Sequence, residues 1–446
     1  MTSPLRLALS GTDSPLAEAV QRNLHAVAGA EVVSPGENPH YILHLGDGPP
    51  PATASCGLWR LRLHPPGRFL RAAALEQTTP QGVTSLDLRI LPAALSPEQA
   101  LLSLADAPAR ICRLLLAGIP LPPPVSLPPY VPPGGLAVKL QQLLRNTLLT
   151  EIWHVGLVNA PIASFLDPNF EPRLQWLANA HPRHFFADPF LAVEPGGLEI
   201  LVEEYDYRND PVGRIGAIAF EQGRFQSPAQ RIFPSPNHMS YPFLFSWQGQ
   251  RYAIPESWER NCVRLHRWDP LSKSWDTGKT ILDGLPAVDS TVFHHNHRWW
   301  LFCTEKSPTV DCRLLIYYAD HFEGPWMPHL ANPVKVDIRS ARPGGTPFHV
   351  GESLYRPAQD CSESYGCRLA LNRITTLTPT SFAEETVHVL RPHPSWPCRD
   401  GFHTLSGEGD WTILDAKRMT FLADLAIGRI SHKIKRLMRY SEVNSR

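Results

Sequence analysis

The sequence predicts a mainly β protein: a five-bladed β-propeller preceded by a small α/β domain and followed by a C-terminal amphipathic helix. Three observations predict it. Five stretches share one plan, and they begin at Asp188, Tyr241, Asp289, Thr346 and His403, so successive starts lie 53, 48, 57 and 57 residues apart. Each runs from a polar or aromatic start through an apolar strand, a Gly, Asn or His turn and a second apolar strand to an acid or amide. A second hairpin follows most of them, so each unit is a four-stranded sheet of about fifty residues, the size of one propeller blade. The 46 prolines among 446 residues, with 12 Trp, 18 Phe and 11 Tyr, suit short strands and many turns better than a helical bundle. An irregular β-sandwich is the alternative architecture.

The elements follow in order. Residues 1–119 open with a strand at Leu5–Gly11, a helical pattern from Pro15 to Val27 and a second strand in Tyr41–Gly48, as in a small α/β unit. Its Gly46-Asp47-Gly48 turn is a weak phosphate-loop signal, read as a plain turn. Residues 120–135 form a linker. Eight of the fourteen residues from Pro120 to Pro133 are proline, which favours a semi-rigid polyproline II spacer. Residues 136–150 carry apolar side chains at 136, 140, 143, 144 and 148, one face of a helix. Residues 151–416 form the propeller, and Glu151–Asn159 is expected to close the ring by completing the last blade. Residues 417–446 form the tail: 417–439 carry apolar residues at helical spacing and seven Lys/Arg, against two acids in the whole tail, Asp424 and Glu442. Such a basic tail suits either an anionic membrane surface, through 417–439, or packing on the propeller.

Forty-two basic residues balance forty-two acidic ones, which gives no footprint for nucleic acid. No uninterrupted apolar run is long enough to span a bilayer. The apolar stretch Leu5–Leu9 is too short for a secretory signal, so the expected location is the cytoplasm, peripheral to the inner membrane face where the tail reaches it. None of the eight cysteines sits in a CxxC pair, so zinc is not expected, and the thiols read as reduced, although Cys361 and Cys367 are near enough in sequence to bridge.

Innermost strands of a propeller line a central channel, so repeat starts in register converge on one axis. This brings Asp188, Tyr241, Asp289 and His403 together, with Arg342 just ahead of Thr346. The strand ends return Glu204, Glu256, Glu305 and Asp360 toward the same funnel, with Arg356, Gln359 and His238. Paired carboxylates beside aromatic walls are what glycosidic-bond chemistry needs, one as acid and the other as base or nucleophile. Asp188 and Asp289 are the candidate pair, with Glu256 or Glu305 as an acid. His238, Tyr241, Arg342, Arg356, Gln359, Asp360 and His403 are the candidate substrate-binding residues, and Trp258, Trp299 and Trp300 the candidate stacking faces. No metal or cofactor is demanded, although a divalent cation among the axial carboxylates is chemically compatible.

Six ordered motifs carry a resemblance: FFADPF (185–190), SYPFLF…YAIPES (240–257), AVDSTVF…WWLF (287–302), SARPGG (340–345), YRPAQDC…YG (355–366) and GFHTL (401–405). Over about Glu151–Ala416 the chain resembles the N-terminal domain family of plant glucosamine inositolphosphorylceramide transferase and its bacterial homologues, itself similar to the five-bladed propellers of glycoside hydrolase family 43. The resemblance implies that Asp188 is the base. The aspartate that tunes the acid in those hydrolases is replaced here by Ser240-Tyr241-Pro242, and Asp289 stands where they usually carry a glutamic acid. That departure argues against simple hydrolysis. In the plant protein the resemblance implies sugar transfer to a lipid, with a separate C-terminal domain as the transferase. It also implies a degenerate formyltransferase-like region within 1–119, where His64 and Asp87 are the only candidates for its chemistry.

The resulting expectation is a carbohydrate-active enzyme, glycosyltransferase or glycosidase-like, working in cell-envelope glycan or glycolipid assembly on a glycan, sugar nucleotide or glycolipid. The alternative is a non-catalytic glycan-binding module that presents substrate to a partner glycosyltransferase.

Overall fold

The computed structural model describes residues 4–10, 14–45, 54–68, 70–121, 135–226 and 228–431. The Gly46–Gly48 turn, most of the proline-rich linker and the tail beyond 431 lie outside the described residues.

The first domain is a six-stranded mixed sheet in the order Ala30–Val33, Leu5–Ser10, Tyr41–His44, Gly57–Leu63, Leu70–Thr79, Gly82–Pro92. Its first four strands are parallel, and the last two add antiparallel. The helix Pro15–His25 starts where Ser14 Oγ accepts from Ala17 N (3.2 Å), and it lays Ala17, Val20 and Leu24 on the sheet.

Five four-stranded sheets then circle one axis, each with its innermost strand first. Blade 1 is His184–Glu194, Gly197–Asp206, Asp210–Glu221, Arg224–Phe225; blade 2 is Ser240–Trp247, Gln250–Glu256, Cys262–Asp269, Ser274–Trp275. Blade 3 is Ala287–His295, Arg298–Glu305, Arg313–Ala319, Met327–Pro328; blade 4 is Phe348–Val350, Ser353–Asp360, Arg368–Leu377, Phe382–Leu390. Blade 5 joins both ends of the ring: Leu405–Glu408 and Trp411–Phe421 pair onward with Leu149–Val158 and Gln175–Trp176. Blades 1 to 3 each hold one further short strand against their third. The predicted architecture is therefore the observed one, with the ring closed by the predicted segment.

Two expectations change. The proline-rich spacer separates the domains in sequence but not in space, because one apolar cluster runs from Trp59 and Leu104 into Cys312, Ile316 and Val336 of blade 3. Arg110 and Arg113 donate to the carbonyls of Ala331 and Leu330 across that seam, both at 3.0 Å. The tail also begins later than 417. Trp411–Phe421 is a full strand of blade 5, and Lys417 is wholly buried, its Nζ on Glu151 Oε1 (2.8 Å) and near the Trp153 ring. Strand alternation, not helical spacing, decides where Lys417 points. The helix occupies 423–431 among the described residues.

Candidate functional site

The same irregularity recurs at the start of three blades. In blade 1, Asp188 and Pro189 together face one residue of the neighbouring strand; in blade 2, Tyr241 and Pro242 do so, and in blade 3, Asp289 and Ser290. Each is a β-bulge, and the first bulged residue has positive φ: 48° at Asp188, 42° at Tyr241 and 54° at Asp289. Such backbone costs on the order of 1–3 kcal/mol per residue. Aspartate tolerates it because its short side chain bonds locally, whereas tyrosine does not. In blade 4 the axial position is Gly345, φ 133°, where any Cβ would run into the Leu405 carbonyl. Thus three strained residues aim at one axis by the same device.

A closed ring of bonds follows. Asp188 N donates to Asp415 Oδ2 of blade 5 (3.0 Å), and Asp289 N donates to Glu256 Oε2 of blade 2 (3.1 Å). Each bulge is thus fastened by a carboxylate from the preceding blade. Asp188 Oδ1 accepts from Thr404 Oγ1 (2.9 Å) and stands 3.6 Å from His403 Nε2, while Oδ2 accepts from Tyr241 N (3.3 Å). His403 Nδ1 faces Asp415 Oδ2 at 2.7 Å, and its ring stacks on Trp153 at 3.8 Å. Asp289 accepts from Nε and Nη2 of Arg342 and from Gln359 Nε2 (2.9 Å). Arg342 also holds Asp311 (2.7 Å) and lies over the Tyr365 ring. Tyr241 crosses the axis, its hydroxyl bonded to Thr291 Oγ1 (3.0 Å) and accepting from Gly345 N (2.8 Å). The axis is therefore a packed polar core.

Burial without enough cations raises the carboxyls of Asp188, Glu203 and Glu256. Desolvation, opposed by His403 and reinforced by Asp289 and Asp415, lifts the Asp188 carboxyl to about 6. Burial, with Asp289 beside it, raises Glu256 well above the usual range. Glu203 rises likewise, through burial and then through Asp188, Glu256, Asp415 and Asp289. His403 is pushed the other way from what burial alone would do, because Asp415 and Asp188 favour its imidazolium. The cluster thus offers carboxyls raised by burial at Glu203, Glu256 and Asp188 beside the guanidinium of Arg342.

Several expected residues lie elsewhere. Arg356 is buried, but it forks onto Glu384 with two bonds of 2.6 Å and caps the Ser340 carbonyl. Asp360 faces away, onto Arg368 Nε (2.9 Å). Glu305 stands opposite Ala287, beyond the bulge, and is half-buried outside the network. Glu204 points outward to His184 and Arg231, and its neighbour Glu203 takes the inward place. His238 touches the rim, accepting from Gly213 N (3.0 Å) and standing 3.6 Å from Glu203. Trp299 and Trp300 are sheet core, and Trp258 lies under Lys306. In the first domain Asp87 is clamped by Arg89 and Arg110, and His64 sits 4.0 Å from Glu76. Sequence reasoning missed Asp415, Thr404 and Glu203. Asp415 carried a signal, since it is the acid that ends the fifth repeat.

Asp188, His403 and Asp415 can each bring one ligand atom within 4.8 Å of the others, an O, N, O set that a cation could use. Holding one would require neutral His403, whereas both neighbouring carboxylates favour its charged form.

The fold and this axis define a class: a five-bladed propeller with a strained, carboxylate-rich core. Residues 174–399 match the family described as glucosamine inositolphosphorylceramide transferase 1, N-terminal, which is half of the chain, and the chain belongs to that family. A protein of Arabidopsis thaliana named glucosamine inositolphosphorylceramide transferase 1 is 35% identical over 215 residues, 46% of this chain and 28% of that one. Its namesake from Oryza sativa subsp. japonica is 34% identical over 215 residues, 47% and 29%. The matched region thus spans less than a third of these relatives. Among solved structures, a thermostable family-43 glycoside hydrolase overlaps 51% of this chain and 86% of its own at 15% identity and TM-score 0.39. A family 117 glycoside hydrolase from Zobellia galactanivorans overlaps 54% and 87% at 12% and 0.39. The five blades rest on the strand pairing of this chain, not on those overlaps.

Proposed function

We propose that the protein is carbohydrate-active and makes or breaks a glycosidic bond in glycolipid assembly, with the propeller axis as its site. The carrying observation is the convergence of five buried carboxylates, Asp188, Glu203, Glu256, Asp289 and Asp415, around three strained bulges. Asp188, raised to about 6, serves as base or nucleophile, and Glu256, its carboxyl raised by burial beside Asp289, serves as the acid. Asp289 is revised from a member of the reacting pair to an anchor: bonded to Arg342 and Gln359, it fixes both against the substrate. Tyr365, Trp153 and His403 supply aromatic walls. The relatives' name supports a glycolipid acceptor. For location we propose the cytoplasmic face of a membrane, supported by the exposed apolar residues Phe421 and Ile427 beside the basic tail.

The test is turnover of the full chain against sugar nucleotides and glycolipids. Asp188→Asn is expected to cut turnover about 10²–10⁴-fold while ligand affinity stays within a few-fold. Unchanged turnover would reject the assignment. A second reading has its own observation: the axial carboxylates are all more than nine-tenths buried. If glycans bind with no turnover from any donor, the protein is a module that presents glycan to a partner glycosyltransferase.

A further inference from the structure

We propose that a second site, a cavity of about 700 Å³ away from the axis, binds a phosphoryl group carried by a small polar molecule or a lipid headgroup. The cavity forms where four parts of the chain meet. Arg68 and Pro92–Ala94 come from the first domain, and Arg145 from the helix Leu136–Leu148. The loop 361–367 with Arg368 comes from blade 4, and Arg391, Arg399 and Asp400 come from the segment leading to blade 5.

Five guanidinium groups line it against two carboxylates, Glu363 and Asp400, in a chain whose overall formal charge is zero. Both carboxylates are already committed. Asp400 pairs with Arg145 (3.1 Å) and accepts from Met419 N (2.9 Å), and Glu363 pairs with Arg368 (2.8 Å). Arg391 and Arg399 form no ion pair among the described residues. Guanidiniums gathered round a concavity repel one another unless an anion sits between them, and their planar forks match phosphate oxygens. Ser362, whose hydroxyl accepts from Arg368 Nη2 (2.9 Å), lines the same wall. The volume falls in the range of small-molecule sites.

The cavity shares a wall with the axis. Arg368 holds Asp360, which follows the Gln359 that bonds Asp289. Tyr365 of the same loop lies edge-on to His403 at 5.3 Å and under Arg342. A phosphoryl group in the cavity would therefore brace the loop that walls the axial cluster. The site stands on its own geometry and does not depend on glycosidic chemistry at the axis.

Calorimetric titration of the full chain with inorganic pyrophosphate tests it. Saturable binding is expected, weakening as salt is added. The double variant Arg391→Gln/Arg399→Gln is expected to bind about a hundredfold less tightly, roughly tenfold for each charge-assisted contact removed. Arg224→Gln, an exposed arginine of blade 1, should change nothing, and Asp188→Asn should leave pyrophosphate binding intact, so this proposal and the axial one fail separately. All four arginine and aspartate substitutions are checked for unaltered melting before titration. Vesicles of phosphatidylcholine containing phosphatidylinositol separate the sources. Vesicle binding that requires Arg391 and Arg399 and is displaced by pyrophosphate identifies a headgroup; pyrophosphate binding without vesicle binding identifies a soluble phosphate. Absence of pyrophosphate binding, or equal affinity in the double variant and the wild type, overturns the proposal.

Discussion

Two buried ionic networks in this molecule use the same residue types to opposite ends. At the seam between the first domain and blade 3, Asp87 and Asp106 are met by Arg89, Arg110 and Arg313, at 2.6–3.3 Å. Burial alone would raise the Asp87 carboxyl, but Arg89 and Arg110 overcome it and hold that group below its ordinary value. Glu384 follows the same logic in blade 4, lowered against the effect of burial by Arg356 and Lys335. On the axis, Asp188, Glu203, Glu256, Asp289 and Asp415 gather around Arg342 and His403, and the carboxyls of Asp188, Glu203 and Glu256 rise instead of falling. Balanced charge makes structural cement, whereas excess negative charge makes groups that titrate. Depth of burial does not distinguish the two; the count of facing cations does.

The strongest way to break this contrast is to remove one partner from each network. Arg356→Met removes two charge-assisted bonds from the buried Glu384 and leaves it Lys335 alone, and a loss of about 3 kcal/mol, the low end for a broken buried pair, is expected in denaturant unfolding. Asp188→Asn removes a charge from an overcrowded cluster, so stability at pH 7 should stay level or rise even as turnover falls. If both variants lose comparable stability, the axis is cement too.

The pH dependence should differ in sign. Asp188 moves from about 4 when unfolded to about 6 when folded, so the native state holds its proton more tightly. That contribution is fully present below pH 4 and is lost as pH rises toward 6, a decline on the order of 3 kcal/mol that Asp188→Asn should abolish. His403, also raised, extends the decline above its ordinary value near 6.5. Asp87 is lowered, so its contribution is present above pH 4 and disappears as pH falls further; Asp87→Asn should remove that acid-side loss. Unfolding midpoints from pH 3 to 8 for the two variants would show whether the signs oppose.

The blades, their order and the closing strand were legible because a fifty-residue repeat survives divergence of its individual residues. Face assignment was not. Glu204 and Asp360 were each one residue from an inward position, taken by Glu203 and Gln359, because a period of two turns a slip of one into a change of face. In blade 1 the bulge at Asp188 and Pro189 lies opposite Val202, next to Glu203 and Glu204. Arg356 could not be told from Arg342 for another reason: its partner Glu384 lies 28 residues away, in a strand that no motif connected to it.

The smallest expected effect tests the phase of the strand itself. Glu256 and Glu305 end the second strands of adjacent blades and read alike in sequence. Glu256 stands opposite Ser240, directly before the bulge, and fastens Asp289 N. Glu305 stands opposite Ala287, two residues before Asp289, and the residue facing Val288 is Thr304, whose hydroxyl bonds the Val310 carbonyl (2.7 Å). Glu305→Gln should therefore shift stability by less than about 0.5 kcal/mol and leave turnover unaltered. Glu256→Gln keeps the shape and an acceptor for Asp289 N but cannot give up a proton, so it should fold normally and lose turnover. A matching loss in Glu305→Gln would place the acid in blade 3 and shift the working end of the axis by one strand step.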